Sequence, residues 1–342
     1  MTYFCGSVQH TTNIRQAFID LGNALNNLPE NIIHQANIKN QWFTPEFISF
    51  AAKQWHAALQ PGKIETWLKA YKPLTHDKTV GIIMAGNIPL VGLHDVLCCL
   101  ALGFKLKIKT SSSDEVLIQF TIDSLINSMP ELKERIQINE SLHAIDALIA
   151  TGSNNTSRYF EYYFKDIPCI IRKSRTSIAV LSGQETEAEL FGLADDIYTY
   201  FGLGCRNVSH LLLPKEIALE PLYQAYDKYM NHVHHHKYYN NYMYHKSILL
   251  MNLDKHYDNG FMLFQEKTAL HAPIATLNYH FYNDIEDINA YIKSNQEDIQ
   301  CVVSHMAIEA NCIAFGHTQI TELWDYADNI NVLDFLSPII QQ

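Results

Sequence analysis

The chain has 342 residues, 47% of them hydrophobic and 18% charged, which supplies a large core and, by length, suits two domains better than one. Its formal net charge of -11 opposes phosphate backbones and anionic lipid, so nucleic acid is not an expected partner. The start, MTYFCGSVQHTTNIRQ, lacks a secretory signal, and the most apolar region, Val80 to Phe104, is broken by Asn87, Pro89, His94 and Asp95; a cytoplasmic protein with no membrane span is expected.

Through the first half, short apolar runs alternate with helical patterns, the arrangement of parallel sheets flanked by helices. Thr79 to Ala85 reads as a strand, Leu90 to Leu102 as a helix ended by Gly103, and Phe104 to Thr110 as the next strand. Ser113 or Asp114 is placed to cap a following helix. The pattern repeats with a strand at Asp146 to Thr151, a helix at Asn154 to Phe164, and extended runs at Pro168 to Arg172 and Ser177 to Leu181. Ser182-Gly183 marks a boundary. An acidic helix (Glu185 to Tyr200), a glycine-rich turn (Phe201 to Cys205) and a strand (Val208 to Leu213) open a second αβ domain. Strands are expected at Ile248 to Leu253, Ile274 to His280 and Ile299 to Ser304, with a helix at Ile285 to Ile292; the aromatic tail ELWDYADNINVLDFL is expected to dock on the body.

Seven cysteines (5, 98, 99, 169, 205, 301 and 312), odd in number and without CxxC, point to free thiols. Cys205 follows Gly202-Leu203-Gly204, where the backbone turns sharply and a thiol can be presented. As a thiolate it is a nucleophile, with Arg206 the nearest cation to assist ionisation; otherwise it is a small buried apolar residue. Asn87 sits where a predicted strand ends, the ligand edge of open α/β sheets; it offers an amide donor or merely shapes the turn before Pro89. Lys105, Lys107 and Lys109 share one strand face, either as a solvated edge or, for Lys109 ahead of Thr110-Ser111-Ser112-Ser113, as a nucleotide contact. His232, His234, His235, His236 and His245 stand among tyrosines and asparagines, and a polar surface segment is expected, with no metal. GxGxxG, Walker and nucleophile-elbow signatures are absent from the sequence.

Taken in order, the strand ending in AGNIPL, FKLKIKTSSS, ATGSNNTSRYF, IIRKSRTSIAVL and the FGLGC turn resemble the aldehyde dehydrogenase superfamily. The tail FGHTQITELWDYADNINVLDFL is more specifically similar to that of LuxC-type acyl-CoA reductases. The resemblance runs from about residue 75 to the end. It implies an aldehyde-dehydrogenase-like α/β fold of two αβ domains with a doubly wound cofactor-binding sheet: residues 1–182 for the cofactor, 183–316 for the catalytic thiol, and 317–342 as a segment docking back.

By that resemblance Cys205 is the nucleophile and Asn87 the oxyanion donor. Lys109 contacts the adenine ribose, Thr151-Gly152-Ser153 forms the turn at the pyrophosphate, and Arg172 and Arg175, with Lys173, meet cofactor or coenzyme A phosphates. Two departures matter. Ile170 to Thr176 holds no carboxylate, so the base that hydrolyses a thioester in ordinary aldehyde dehydrogenases is missing. Ala269 stands near the place of the glutamate that binds the nicotinamide ribose. The implied activity is NADPH- or NADH-dependent reduction of a fatty acyl-CoA to an aldehyde through a thioacyl cysteine, with coenzyme A released. An acyl-transferring or acyl-activating partner enzyme and a homo-oligomer are expected. The alternatives are oxidation of aldehydes to acids and a catalytically silent scaffold of the same fold.

Overall fold

The structure, a computed structural model, describes residues 3–71, 76–139, 141–217 and 220–341. It divides into two compact units, Met1–Ser174 with Thr321–Gln342, and Arg175–Ile320.

The first unit opens with four helices, Tyr3–Asn26, Glu30–Lys39, Pro45–Ala58 and Pro61–Leu68, in a stretch where the sequence reading assigned no element. Their signals are local. Ile14, Phe18, Leu21 and Leu25 recur at helical spacing and are all buried, and Thr44 caps the third helix by accepting from Phe47 N–H, with Pro45 in its first turn. Gly22 lets the first and third helices close, since a Cβ there would lie 2.9 Å from Leu59 Cβ.

Five strands follow, β1 (Thr79–Ile83), β2 (Lys105–Lys109), β3 (Ile136–Ile138), β4 (Ala147–Thr151) and β5 (Cys169–Arg172), in the parallel order β3-β2-β1-β4-β5. A parallel sheet is covered on both faces, which is why Ala147 to Ala150 are wholly buried. The order reverses at β1 and β4, so the crevice beyond their carboxyl ends is the place where such sheets take ligands. β2 lies between β1 and β3 and is therefore not the solvated edge that its lysines allowed. The tail belongs to this unit: Leu323, Val332, Leu333, Leu336 and Ile339 are buried in its core. His94 bonds the Leu323 carbonyl (2.9 Å), and Trp67 Nε1 donates to Tyr326 Oη (2.9 Å).

The second unit holds seven strands: β6 (Thr176–Val180), β7 (Val208–Pro214), β8 (Tyr257–Asp258), β9 (Leu263–Glu266), β10 (Thr276–Tyr282), β11 (Ile299–Val303) and β12 (Cys312–Ile313). Their order is β12-β11-β6-β7-β10-β9-β8, parallel except for β8 against β9. Three sequence expectations are corrected here. The boundary falls between Ser174 and Arg175 rather than after Ser182, because β6 pairs with β7 and β11 in the second sheet, and the tail boundary falls after Ile320 rather than Gly316. Ile248 to Leu253 is no strand: it ends the helix His236–Asn252, whose buried Tyr238, Tyr242 and Leu249 recur at helical spacing.

Among the described residues no helix is long and apolar enough to cross a membrane, and none of Cys98, Cys99, Cys169, Cys205, Cys301 and Cys312 is in a disulfide. Cys5 lies outside the described side chains.

Candidate functional site

In the first unit the carboxyl end of β1 leads to Asn87, singled out as the oxyanion donor, and the ends of β2 and β4 carry Lys109 and Thr151 to Ser153, singled out for the cofactor. The turn after β1 carries Asn87, half-buried, and is tightly built. A Cβ on Gly86 would lie 2.3 Å from Ser111 Oγ, and one on Gly92 would lie 2.7 Å from Met84 Cγ, so the turns after β1 and β2 touch through glycine. Leu90 is left-handed at φ 60, a conformation costing roughly 1–2 kcal/mol for a side chain. This is why the helix begins at Leu93 and not at Leu90 as its apolar pattern suggested.

Asp114 holds that turn. Its Oδ2 accepts the Leu90 N–H at 2.9 Å, so the residue expected to cap the following helix stands at the cap position without making a side-chain cap bond. Burial pushes its carboxyl well above the usual range, more than the Leu90 N–H pulls it down, and the buried Oδ1 has no hydrogen-bond partner among the described residues. A protonated carboxyl with its hydrogen on Oδ1 suits that environment better than a carboxylate.

Lys109 ends β2 exposed, with no side-chain partner among the described residues, whereas Lys105 pairs with Asp77 at 2.8 Å and Lys107 donates to the His143 carbonyl. After β4, Thr151 and Gly152 lead to Ser153, the cap of the helix Asn154–Tyr163: its Oγ accepts the Thr156 N–H at 3.3 Å and lies 2.7 Å from Thr156 Oγ1. Gly152 lets the helix close on the strand, since a Cβ there would lie 3.2 Å from Phe160. A helix N-terminus after β4 and an exposed lysine ending β2, both at the carboxyl edge of a parallel sheet, are groups that suit the pyrophosphate and ribose of a dinucleotide.

Arg172 departs from its expected role. It is buried and forks onto Asp95 at 2.5 and 2.9 Å, so its guanidinium is committed to an internal ion pair and not offered to a phosphate. Arg175 opens the second unit and donates to the Ile299 carbonyl at 3.3 Å, and Lys173 pairs with Glu161 at 3.0 Å. The basic cluster of the sequence is thus dispersed among separate partners.

Cys205, half-buried, lies in the second unit just before β7. The turn that delivers it is more strained than its glycines suggested. Tyr200 and Phe201 are both left-handed at φ 56, followed by Gly202 at φ 75. Three successive left-handed residues persist only where surroundings force them, and buried Asn207 is the chief restraint. Its Oδ1 accepts the Gly204 N–H (2.8 Å), its Nδ2 donates to the carbonyls of Asp196 (3.0 Å) and Thr199 (2.9 Å), and its own N–H donates to the Gly204 carbonyl (3.0 Å). Ser177 Oγ donates to the Cys205 carbonyl at 3.1 Å.

Arg206 Nε donates to the Thr318 carbonyl and makes no ion pair among the described residues, so a cation neighbours the thiol in sequence without a neutralising carboxylate. Buried Asp196 fixes that segment in turn, accepting from Gly316 N–H (2.7 Å) and Thr318 N–H (2.9 Å). Sequence reading missed Asn207 and Asp196, which stand beside other polar residues, Arg206 and Asp195, and carry no local signal of their roles.

The histidine cluster is not simply a polar surface. His232 and His235 each bring a ring within 4.5 Å of the Phe201 ring, and burial pushes His232 down to about 4. Among the described residues no group of three or more His, Cys, Asp or Glu is arranged for a metal ion. The carbonyl of Ala269 accepts from Asn278 Nδ2 (2.8 Å) and bonds His210 Nδ1 (3.0 Å), while its methyl offers nothing to a ribose.

The chain has the aldehyde dehydrogenase fold. An indole-3-acetaldehyde dehydrogenase complexed with NAD+ superposes with a TM-score of 0.64 at 12% identity, over 88% of this chain and 72% of that one. An acetylating aldehyde dehydrogenase from Geobacillus thermoglucosidasius gives 0.63 at 11% identity, over 91% and 83%. Aldehyde dehydrogenase 21 from Physcomitrella patens, in complex with its product succinate, gives 0.68 at 8% identity, over 99% and 87%. No family model matches the sequence, and no curated protein matches it.

Proposed function

We propose that the protein is an acyl-CoA reductase that uses NADPH or NADH to convert a fatty acyl thioester to an aldehyde. The observation that carries this reading is the thiol of Cys205 at the end of a strained turn braced by buried Asn207, the kind of placement in which a nucleophile is held ready. Cys205 Sγ attacks the thioester carbonyl, the oxyanion is met by main-chain N–H and, by family resemblance, by the Asn87 amide, and the C–S bond to coenzyme A breaks. The first unit would hold the nicotinamide cofactor through Lys109, Gly152 and Ser153, and the bound cofactor supplies the hydride. An acyl-activating enzyme would supply the substrate.

The absence of any carboxylate between Ile170 and Thr176 favours exchange with coenzyme A over hydrolysis to acid. Radiolabelled acyl-CoA added without reduced cofactor should label Cys205, and NAD(P)H should discharge the label as aldehyde. Cys205→Ala should abolish both labelling and turnover while keeping the melting temperature. Label released by water as free acid at the rate of turnover would establish the ordinary dehydrogenase; no label on a folded, cofactor-binding chain would establish a silent scaffold.

A further inference from the structure

The second sheet carries another set of nucleophilic and basic groups, at the opposite end of β6 from Cys205. Ser177 holds the Cys205 carbonyl near the amino end of that strand. Ser182 lies past its carboxyl end, roughly 16 Å further along an extended chain. Ser182 Oγ is 2.8 Å from His305 Nε2, and His305 Nδ1 is 2.7 Å from Glu189 Oε1. The other oxygen of Glu189 accepts from the N–H and hydroxyl of Thr186, at 2.8 Å each, so this carboxylate is fixed. The His305 hydrogen bond, and then those from Thr186, hold it down to about 2. His305 is placed by its neighbour Ser304, whose hydroxyl donates to the Val180 carbonyl of β6 at 2.8 Å.

The setting suits nucleophilic chemistry. Ser182 stands between a parallel strand and the helix Glu187–Tyr198, followed by Gly183 at φ 84, the strand-turn-helix context that exposes a nucleophile at the carboxyl edge of a sheet. Serine, base and orienting carboxylate are all within hydrogen-bond reach. An anion position is built beside them: the Ser182 N–H donates to Glu185 Oε1 (2.6 Å) and the Gly183 N–H to Glu185 Oε2 (3.0 Å), while the Ser182 hydroxyl also donates to Oε1 at 2.8 Å and so is turned away from His305 at rest. That carboxylate stands where the developing oxyanion of an acyl group would be held.

We propose that Ser182, His305 and Glu189 form a second, hydrolytic site for small activated esters or thioesters, kept in a resting state by Glu185. The acyl carbonyl oxygen displaces the Glu185 carboxylate from the two N–H groups. His305 Nε2 takes the hydroxyl proton as Ser182 Oγ bonds to the acyl carbon, the bond to the leaving alcohol or thiol breaks, and His305 returns the proton to that group. Water then gives a proton to His305 and attacks the acyl-serine, the acyl–Oγ bond breaks, and Ser182 recovers its proton as the acid leaves. Glu189 keeps the Nδ1–H throughout and takes no proton.

The test uses the full chain carrying Cys205→Ala, which removes thiol chemistry, with a fluorophosphonate probe mapped by peptide mass spectrometry and p-nitrophenyl acetate as substrate. The expected result is an adduct on Ser182 and ester hydrolysis lost in Ser182→Ala. Both should fall by about 10²-fold or more in His305→Ala and rise at least about tenfold when Glu185→Ala vacates the N–H groups. If Glu185→Ala fails to fold, Glu185→Gln, which keeps the shape and removes the charge, is read in the same way. Absence of a Ser182 adduct in both the parent and a folded Glu185 variant overturns the proposal, as does labelling that His305→Ala leaves unchanged.

Discussion

In the turn after β1, one left-handed residue, Leu90, is held by one acceptor, Asp114 Oδ2, on a buried carboxyl whose other oxygen has no hydrogen-bond partner among the described residues. In the turn before β7, three left-handed residues, Tyr200, Phe201 and Gly202, are held by Asn207, an amide that uses both its oxygen and its nitrogen. The comparison shows that strain of the same kind is met by braces of different chemistry. One brace titrates and is incompletely satisfied; the other is neutral and satisfied at both ends. The brace of the turn assigned to the nucleophile carries no ionisable group, while the brace of the turn carrying Asn87 does.

The comparison is broken most directly at the residues the two turns present. Asn87→Ala should lower kcat by about 10²–10³-fold, roughly 2.7–4 kcal/mol, with little change in KM, if the amide meets charge that develops only in the transition state. Early melting with normal turnover would assign Asn87 to the turn alone. Asn207→Ala should cost about 2–4 kcal/mol in urea denaturation, since it strands the Gly204 N–H and two carbonyls in a buried place. It should also change the rate of iodoacetamide alkylation at Cys205, and an unaltered rate would separate the brace from the thiol.

Smaller effects sharpen the contrast. Gly202→Ala should destabilise by about 1–2 kcal/mol because φ 75 disfavours a side chain, and its Cβ would come within 3.3 Å of the Ile197 carbonyl; a neutral result in thermal melting would show that the turn relaxes. Asp114→Asn should act through pH. In the unfolded chain the carboxyl ionises near 3.8, while in the folded chain burial raises it well above that value. Over that window the unfolded state binds fewer protons, so this group's contribution to stability is fully present in acid and falls as pH rises. Melting temperatures from pH 4 to 8 should therefore favour Asp114→Asn increasingly toward the alkaline end, and a constant difference would show an unperturbed carboxyl.

Strand and helix periodicity, read along the chain, was enough to place β1, β2, β4, β6, β7, β10 and β11 close to where they fold. A parallel strand buried on both faces announces itself as a short apolar run. The Cys205 turn and the helix from Asn154 were legible for the same reason, since glycines ahead of a strand and helical periodicity are local signals. What only tertiary structure decided is which partner each element takes. Thr176–Val180 reads equally well as the last strand of one sheet or the first of another, and Ile248 to Leu253 reads as a strand until Tyr238 and Tyr242 are buried on the same helix face. Arg172 looks like a phosphate ligand until Asp95, distant in sequence, is found against it. Asp114 looks like a cap until Leu90 claims its carboxyl. Periodicity and capping act within a turn or two of chain and are written in neighbouring residues, whereas a buried charge or amide is satisfied by whichever distant donor the packing brings within hydrogen-bond reach, and no neighbour in sequence records that choice.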